Sequence, residues 1–225
     1  MKIFLRIIVF LASIPFFGQQ IGVRKAQEFK YNIKDSTLVV IKSTNEQLFF
    51  KDLYKLDKTY DNYTLFPKSE DVDGNVISFY YIEKSGLENQ DQVVEKFSKI
   101  EINRKDIFDN IIDLNKIEDK IILIIIQIQL EFPMINVDAI KEAESAALKR
   151  NNCISIILTN SSKEQAKQFA KENGLASAII PNAVFTTMQF NKKRFPAYII
   201  LNSDKTIHSE LKYHYEVETA LSSLD

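Results

Sequence analysis

Side chains that commonly carry covalent or metal chemistry are scarce in this chain of 225 residues. Cys153 is its one cysteine, and His208 and His214 are its two histidines. A single cysteine excludes an intrachain disulfide and any zinc site that needs two thiolates. For the two histidines the sequence favours a surface or strand-face role over metal ligation, and we expect no metal site.

Cys153 begins the apolar stretch CISIILT. A free cysteine in such a stretch is usually a buried small hydrophobic residue. The alternatives are an exposed redox thiol or a disulfide to a second chain.

Four carboxylates surround the predicted start of a helix: Glu131, Asp138, Glu142 and Glu144. Acidic side chains near a helix N-terminus complement the helix dipole, so a solvated helix face is the expected interpretation. A paired-carboxylate site for general acid and base catalysis is the alternative.

Signatures of several other chemistries are missing from the sequence. It contains no G-x-S-x-G nucleophile turn, no phosphate loop and no G-x-G-x-x-G dinucleotide motif,. We therefore expect no cofactor. The net charge of −1 and the mixing of charges along the chain indicate no basic face, so we expect no nucleic-acid partner,.

The second half of the chain alternates strands and helices. Residues 119–129, DKIILIIIQIQ, form an apolar run typical of a central parallel strand covered on both faces,. Residues 136–150 space apolar side chains at helical intervals. Residues 153–159 predict a second buried strand, and residues 160–174 predict a helix capped by Asn160 or Ser161 and closed by Gly174,.

Two further strands around the turn NSDK and a last helix, EVETALSS, complete the pattern. The order strand, helix, strand, helix, strand, strand, helix predicts an α/β fold with a mixed sheet flanked by helices.

The element order, the segment FPAYIILNSDKTI and the turn after the first strand carry a specific resemblance. Over Ile102–Leu224 the chain resembles exported thioredoxin-like proteins of the TlpA and peroxiredoxin-related type. The resemblance implies a thioredoxin-like domain over residues 101–225 and a cis peptide bond between Phe195 and Pro196. A trans proline that opens an edge strand is the alternative.

The redox motif of that family is a pair of cysteines separated by two residues at the start of the first long helix. The resemblance puts Glu131 and Met134 at the two cysteine positions, and Pro133 matches the proline before the second cysteine. Dithiol exchange needs an attacking thiolate and a second, resolving thiol. Because both cysteines are missing, the motif is degenerate, with Glu131 where the helix dipole would favour a thiolate.

Two functions from different classes follow. The first is a non-redox binding module: the resemblance implies a groove between the former cysteine turn and the cis-proline loop, where an extended polypeptide pairs with the backbone. The groove residues would be Leu130, Glu131, Phe132, Pro133, Met134, Phe195 and Pro196. The alternative is an enzyme. It would be either a thiol-dependent oxidoreductase or peroxidase-like enzyme that uses Cys153, or a hydrolase that uses the carboxylates for catalysis.

The N-terminal residues predict an export signal. Lys2 and Arg6 precede the apolar stretch IIVFLASIPFF, and a polar region starts at Gly18,. We expect residues 1–18 to be removed and the mature chain, without a membrane span, to be periplasmic or secreted. The alternative is an uncleaved anchor, although the stretch is shorter than the roughly 20 residues that a membrane span needs. The expected partner is a protein or peptide of the cell envelope or outside the cell.

Residues 19–100 predict a smaller β-rich region. STLVVIKS (36–43) and NVISFYYIEK (75–84) have strand composition, and Asp73-Gly74 signals a hairpin turn,. The same DVDGN stretch resembles the start of a calcium loop, but an ordinary turn is favoured. Residues 89–100 predict a short helix.

Overall fold

A computed structural model describes residues 34–55, 63–83, 100–131, 135–188, 190 and 194–224. The strands are β1 (Leu38–Ile41), β2 (Gln47–Phe49), β3 (Tyr63–Glu70), β4 (Val76–Glu83), β5 (Asn103–Lys105), β6 (Ile111–Asp113), β7 (Ile121–Ile126), β8 (Cys153–Leu158), β9 (Ala178–Ile180), β10 (Ala197–Leu201) and β11 (Ile207–Leu211). The α-helices are α1 (Val137–Leu148), α2 (Lys163–Asn173), α3 (Val184–Met188) and α4 (Tyr215–Ser222), and 3-10 turns lie at Phe50–Lys55 and Leu114–Lys116. The predicted signal region and the helix predicted before residue 100 lie outside the described residues.

The central sheet has five strands in the order β11-β10-β7-β8-β9. β8 is parallel to β7 and to β9, whereas β10 runs antiparallel to β7 and to β11. The mixed α/β sheet that the sequence predicted is confirmed. All residues of β7 are buried, because both faces of this central strand are covered.

Side chains of β7 alternate between two cores, as the period of a strand requires. Leu123 and Ile125 belong to one core with Ile140 of α1 and Val217 of α4. Ile122, Ile124 and Ile126 belong to a second core, which also contains Ala183 and Phe190. The sheet is therefore a rigid support for the loops at its ends.

The sequence predicted the C-terminal end of α2 correctly but not its N-cap. Gly174 closes α2 in the left-handed conformation, with φ of 63°, as predicted. The N-cap of α2 is Ser162, not Asn160 or Ser161, and its side chain forms a capping box with Gln165,. The hydroxyl of Ser161 is engaged elsewhere, by Leu130 and Glu131, so it cannot cap the helix.

A separate four-stranded sheet has the order β2-β1-β4-β3. β3 and β4 form the predicted hairpin around the Asp-Gly turn. The Asp71 carboxylate accepts hydrogen bonds from the backbone N–H groups of Asp73 and Asn75, each at 2.9 Å. The turn is thus closed by the side chain of Asp71, and the favoured interpretation of DVDGN as an ordinary turn agrees with this geometry.

A buried ion pair joins this hairpin to the second half of the chain. Arg104 of β5 is 2% exposed, and its Nη1 lies 2.5 Å from Glu70 Oε1. Its Nη2 donates to the Pro181 carbonyl at 3.0 Å, and Thr186 of α3 also donates to Glu70. The hairpin and the second half lie within one compact unit, Tyr31–Asp225.

Candidate functional site

The candidate groove lies at the edge of the central sheet where β7 ends and β10 begins. Ala197, the first residue of β10, pairs with Ile126, the last residue of β7. Because these two residues pair, the turn that follows β7 lies next to the loop that precedes β10. The antiparallel arrangement thus brings together the residues just after Ile126 and those just before Ala197, which are far apart in the sequence.

Leu130 anchors the turn after β7. Its side chain is 3% exposed and belongs to the core formed by β7, α1 and α4. Its backbone N–H donates to Ser161 Oγ at 2.7 Å. Leu130 is consequently a support of the groove rather than an exposed apolar contact for a ligand.

Glu131 follows directly and is exposed. Its Oε2 accepts a hydrogen bond from Ser161 Oγ at 2.6 Å. A hydroxyl has one proton and two lone pairs, so Ser161 can donate to Glu131 while it accepts from Leu130. This single side chain thereby fixes both the backbone and the carboxylate of the turn.

The loop after β8 supports Ser161. Thr159 Oγ1 lies 3.1 Å from Ser161 Oγ and 3.2 Å from the Ile128 carbonyl, and it accepts from the Ser161 N–H at 3.2 Å. The Asn160 N–H also donates to the Ile128 carbonyl at 2.8 Å. Because β7 and β8 are parallel, their ends meet at one edge, and these bonds tie the two loops together.

Phe195 and Pro196 lie in the loop that precedes β10, which is the other predicted wall of the groove. Their peptide bond is cis, which is the geometry that the resemblance implies. The Phe195 side chain is 39% exposed, and its backbone forms no hydrogen bond with a described residue. Phe195 thus offers both an aromatic surface and a backbone that can pair with an extended chain.

Phe132, Pro133 and Met134 lie outside the described residues, so the groove is defined by the residues on either side of them. Helix α1 begins only at Val137, and Asn136 caps it by accepting from the Ala139 N–H at 3.1 Å. Glu131 was expected at the helix N-terminus, in the field of the dipole. Its observed partner is instead Ser161, on the neighbouring loop.

Gln127, Thr159 and Ser161 are residues of this edge that the sequence reasoning missed. Gln127 is 8% exposed, its Nε2 donates to the Gln129 carbonyl at 3.2 Å, and its buried Oε1 has no partner among the described residues. The available signal was a polar residue that directly follows the six apolar residues of β7.

Cys153 lies at the far end of the sheet from the groove. It pairs with Ile121, the first residue of β7, whereas the groove starts beyond Ile126. Five strand steps at about 3.3 Å each separate these ends by roughly 16 Å. The thiol is buried, and burial raises its pKa, which disfavours the nucleophilic thiolate.

Glu142 and Glu144, two of the other predicted carboxylates, have separate partners. Glu144 is 6% exposed and accepts from the N–H groups of Ala176 and Ser177 at 2.9 and 2.6 Å. These bonds connect α1 to the segment before β9. The Glu144 side chain is therefore buried, whereas the sequence predicted a solvated one. Glu142 instead lies 3.1 Å from His214 Nε2. The different partners of Glu131, Glu142 and Glu144 do not support a paired-carboxylate site.

Other polar features of the described residues lie away from this edge. A surface cleft of about 510 Å³ lies beyond the C-terminal end of α1 and is lined by Ala146, Lys149, Arg150, Asn151, Asn152 and Glu218. Lys149 pairs with Glu218 at 3.7 Å, and Arg150 donates to Ser222 at 2.8 Å. No group of three potential metal-ligating side chains occurs in the described ranges.

The architecture has clear counterparts among solved structures. A thiol-disulfide oxidoreductase from Bacteroides fragilis matches with a TM-score of 0.50 at 13% identity, covering 57% of this chain and 99% of that one. The C-terminal domain of a proposed thiol-disulfide oxidoreductase from Bacteroides thetaiotaomicron matches with a TM-score of 0.50 at 15% identity, covering 58% and 95%. The fold is thioredoxin-like.

The sequence comparisons add no relative. No family model matches the chain, and no curated protein matches it. The thioredoxin-like part therefore has the fold of oxidoreductases without their pair of cysteines, because Cys153 is the only cysteine in the sequence. In the part of the chain that the structure describes, no helix is long and apolar enough to cross a membrane.

Proposed function

We propose that this protein is a non-redox binding module that holds an extended peptide segment in the groove between residues 130–134 and Phe195-Pro196. The observation that carries the proposal is the position of Cys153. The only thiol is buried at the end of the sheet opposite the groove, so dithiol exchange has no nucleophile and no resolving thiol there.

The groove supports binding even though the thiols are absent. Phe195 leaves its ring partly exposed and its backbone without a partner among the described residues. An extended peptide can hydrogen-bond to such a backbone as an added strand, while the aromatic ring provides apolar contact. On the other side, Leu130 and Glu131 are held in place by Ser161, which reduces the ordering that these two residues undergo when a peptide binds.

The proposal places the protein outside the cytoplasm after removal of residues 1–18. Support comes from Lys2, Arg6 and the apolar stretch that follows them,. A lone thiol in an oxidising compartment is protected by burial, as Cys153 is. Cell fractionation with an antibody against the C-terminus tests this point, and a full-length cytoplasmic chain would contradict it.

Selection from a display library of short random peptides, followed by fluorescence anisotropy, tests the function. We expect selected peptides to bind, and Phe195→Ala to weaken the affinity about tenfold because it removes the exposed ring. Phe49→Ala removes a ring of similar exposure, 49% against 39%, from the other sheet and is the matched control. Equal affinities for both variants, or no binding peptide at all, would contradict the proposal.

The alternative, a thiol-dependent enzyme, predicts a different result. Insulin reduction and peroxide turnover should then occur with the purified protein and disappear in Cys153→Ala. We expect neither activity above the background of the variant, because Cys153 is buried and its pKa is raised.

A further inference from the structure

A series of hydrogen bonds connects Arg104 to the turn after β7. We propose that Arg104 is a positioning residue for Leu130 and Glu131, and that it acts through the loop after β9 and through Ser161. The β3–β4 hairpin, which holds the guanidinium, thereby supports this turn. The inference rests on the proposed function, because Leu130 and Glu131 belong to the site proposed there.

The hairpin holds the guanidinium of Arg104 in one place. Arg104 is 2% exposed, and its Nη1 lies 2.5 Å from Oε1 of Glu70, on β3. Thr186 donates to the same carboxylate. Gly74, in the turn of the hairpin, packs so closely that a Cβ there would lie 2.8 Å from Arg104 Cζ. Because the guanidinium is a rigid planar fork, these contacts also decide where its second arm points.

The second arm of the guanidinium holds the loop that follows β9. Nη2 donates to the Pro181 carbonyl at 3.0 Å and to the Asn182 carbonyl at 3.4 Å. Asn182 has a φ of 50°, in the left-handed region that residues with a Cβ adopt uncommonly. Such a conformation persists only where the surrounding structure imposes it. The bonds from Arg104 are part of that restraint.

The same loop holds the residue that supports the turn after β7. The N–H of Asn182 donates to the Ser161 carbonyl at 3.0 Å. The next N–H, of Ala183, donates to the Thr159 carbonyl at 2.8 Å. Ser161 Oγ in turn accepts from the Leu130 N–H at 2.7 Å. Each step is a direct hydrogen bond, so a displacement of the loop after β9 reaches Leu130 through Ser161.

Backbone NMR of the folded protein without any peptide tests the positioning role. Arg104→Lys keeps the positive charge beside Glu70 but lacks the second arm that reaches the loop. We expect the amide resonances of Asn182 and Leu130 to shift, whereas that of Ile124, in the middle of β7, stays in place. A loss of stability alone does not shift the resonances of molecules that remain folded, so this pattern separates positioning from a merely structural role.

Two further variants show whether the effect passes through Ser161. Ser161→Ala removes the last contact of the series, so in that background Arg104→Lys should no longer shift the Leu130 amide. Arg150→Lys makes the same chemical change beside Ser222, at another place in the fold, and is the matched control. It should leave the Leu130 amide unshifted.

Gly74→Ala provides the same test from the hairpin, and it decides the question should Arg104→Lys fail to fold. The added Cβ displaces the guanidinium without removing it, so the amides of Asn182 and Leu130 should shift again. An unshifted Leu130 amide in the folded variants, or the same shift in the Ser161→Ala background, would overturn the inference and leave the proposed function standing.

Fluorescence anisotropy with a selected peptide connects this role to the site. The peptide should bind Arg104→Lys about threefold more weakly than the wild type, because a less ordered turn must be ordered on binding. Unchanged affinity beside a shifted Leu130 amide would overturn the role of Arg104 at the site. A selection that yields no binding peptide would overturn the proposed function alone, since the amide shifts require no peptide.

Discussion

The hydroxyl of Ser161 donates to the carboxylate of Glu131 at 2.6 Å while it accepts from the Leu130 backbone at 2.7 Å. These contacts connect the loop after β8 to the turn after β7. Ser161, which is 1% exposed, thus holds the Leu130 backbone and the Glu131 carboxylate in place.

Replacing Ser161 by Ala should lower the free energy of unfolding by about 1–3 kcal/mol, because the N–H of Leu130 would lose its buried acceptor. Urea denaturation followed by circular dichroism measures the change. Ser43→Ala, at an exposed serine, should stay within about 0.5 kcal/mol of the wild type. Similar values for the two variants would show that Ser161 does not support the turn.

Glu70→Gln should be strongly destabilising, by about 3–5 kcal/mol, because it leaves the buried Arg104 without its counter-charge. The matched control is Glu218→Gln, which disrupts the exposed pair with Lys149, whose side chains are 65% and 67% exposed. That change should cost at most about 1 kcal/mol. Guanidinium denaturation compares the two variants, and equal losses would contradict the importance of the buried pair.

Gly74→Ala should destabilise the protein more than Gly174→Ala does. Both glycines have positive φ, 87° and 63°, which costs a residue with Cβ about 1–2 kcal/mol. A Cβ on Gly74 would also collide with the Arg104 guanidinium, 2.8 Å from Cζ, whereas nothing lies within 4 Å of a Cβ on Gly174. Thermal unfolding of the two variants measures the difference, and a larger loss for Gly174→Ala would be inconsistent with this packing.

Cys153 should react slowly with a thiol reagent in the folded protein and rapidly after unfolding, because the thiolate is disfavoured by burial. Burial raises the pKa of the thiol, so the folded state retains the proton more tightly than the unfolded state. The resulting contribution to stability is complete below the unfolded pKa of about 8.5 and is lost as the pH rises through the folded pKa.

The pH dependence of Cys153 can be isolated with Cys153→Ala. The difference in unfolding free energy between the wild type and the variant should fall as the pH rises above about 8.5. Native labelling as fast as that of the unfolded chain, or a difference that grows with pH, would contradict the buried position.

Sequence reasoning succeeded where the signal was local and strong. The apolar run that became β7, the Asp-Gly hairpin and the glycine that ends α2 each depend on periodicity or on the φ preference of one residue. β9 and α3 were missed because three and five residues are too few to display a period,.

The site was harder to predict because its contacts are tertiary. Ser161 was a plausible helix cap by sequence, and only the fold brings it to Glu131, thirty residues earlier. The burial of Arg104 likewise depends on Glu70, which is 34 residues away and in another sheet. Neither contact can be recognised from the hydrophobic periodicity or the composition of the sequence.

Backbone NMR of the ¹⁵N-labelled protein, titrated with an unlabelled selected peptide, tests the central claim most directly. Peptide binding in the groove predicts the largest amide shifts at Glu131, Phe195 and Ala197, with the same changes in Cys153→Ala. Shifts confined to the sheet of β1 to β4, or changes that disappear in Cys153→Ala, would contradict a non-redox binding groove.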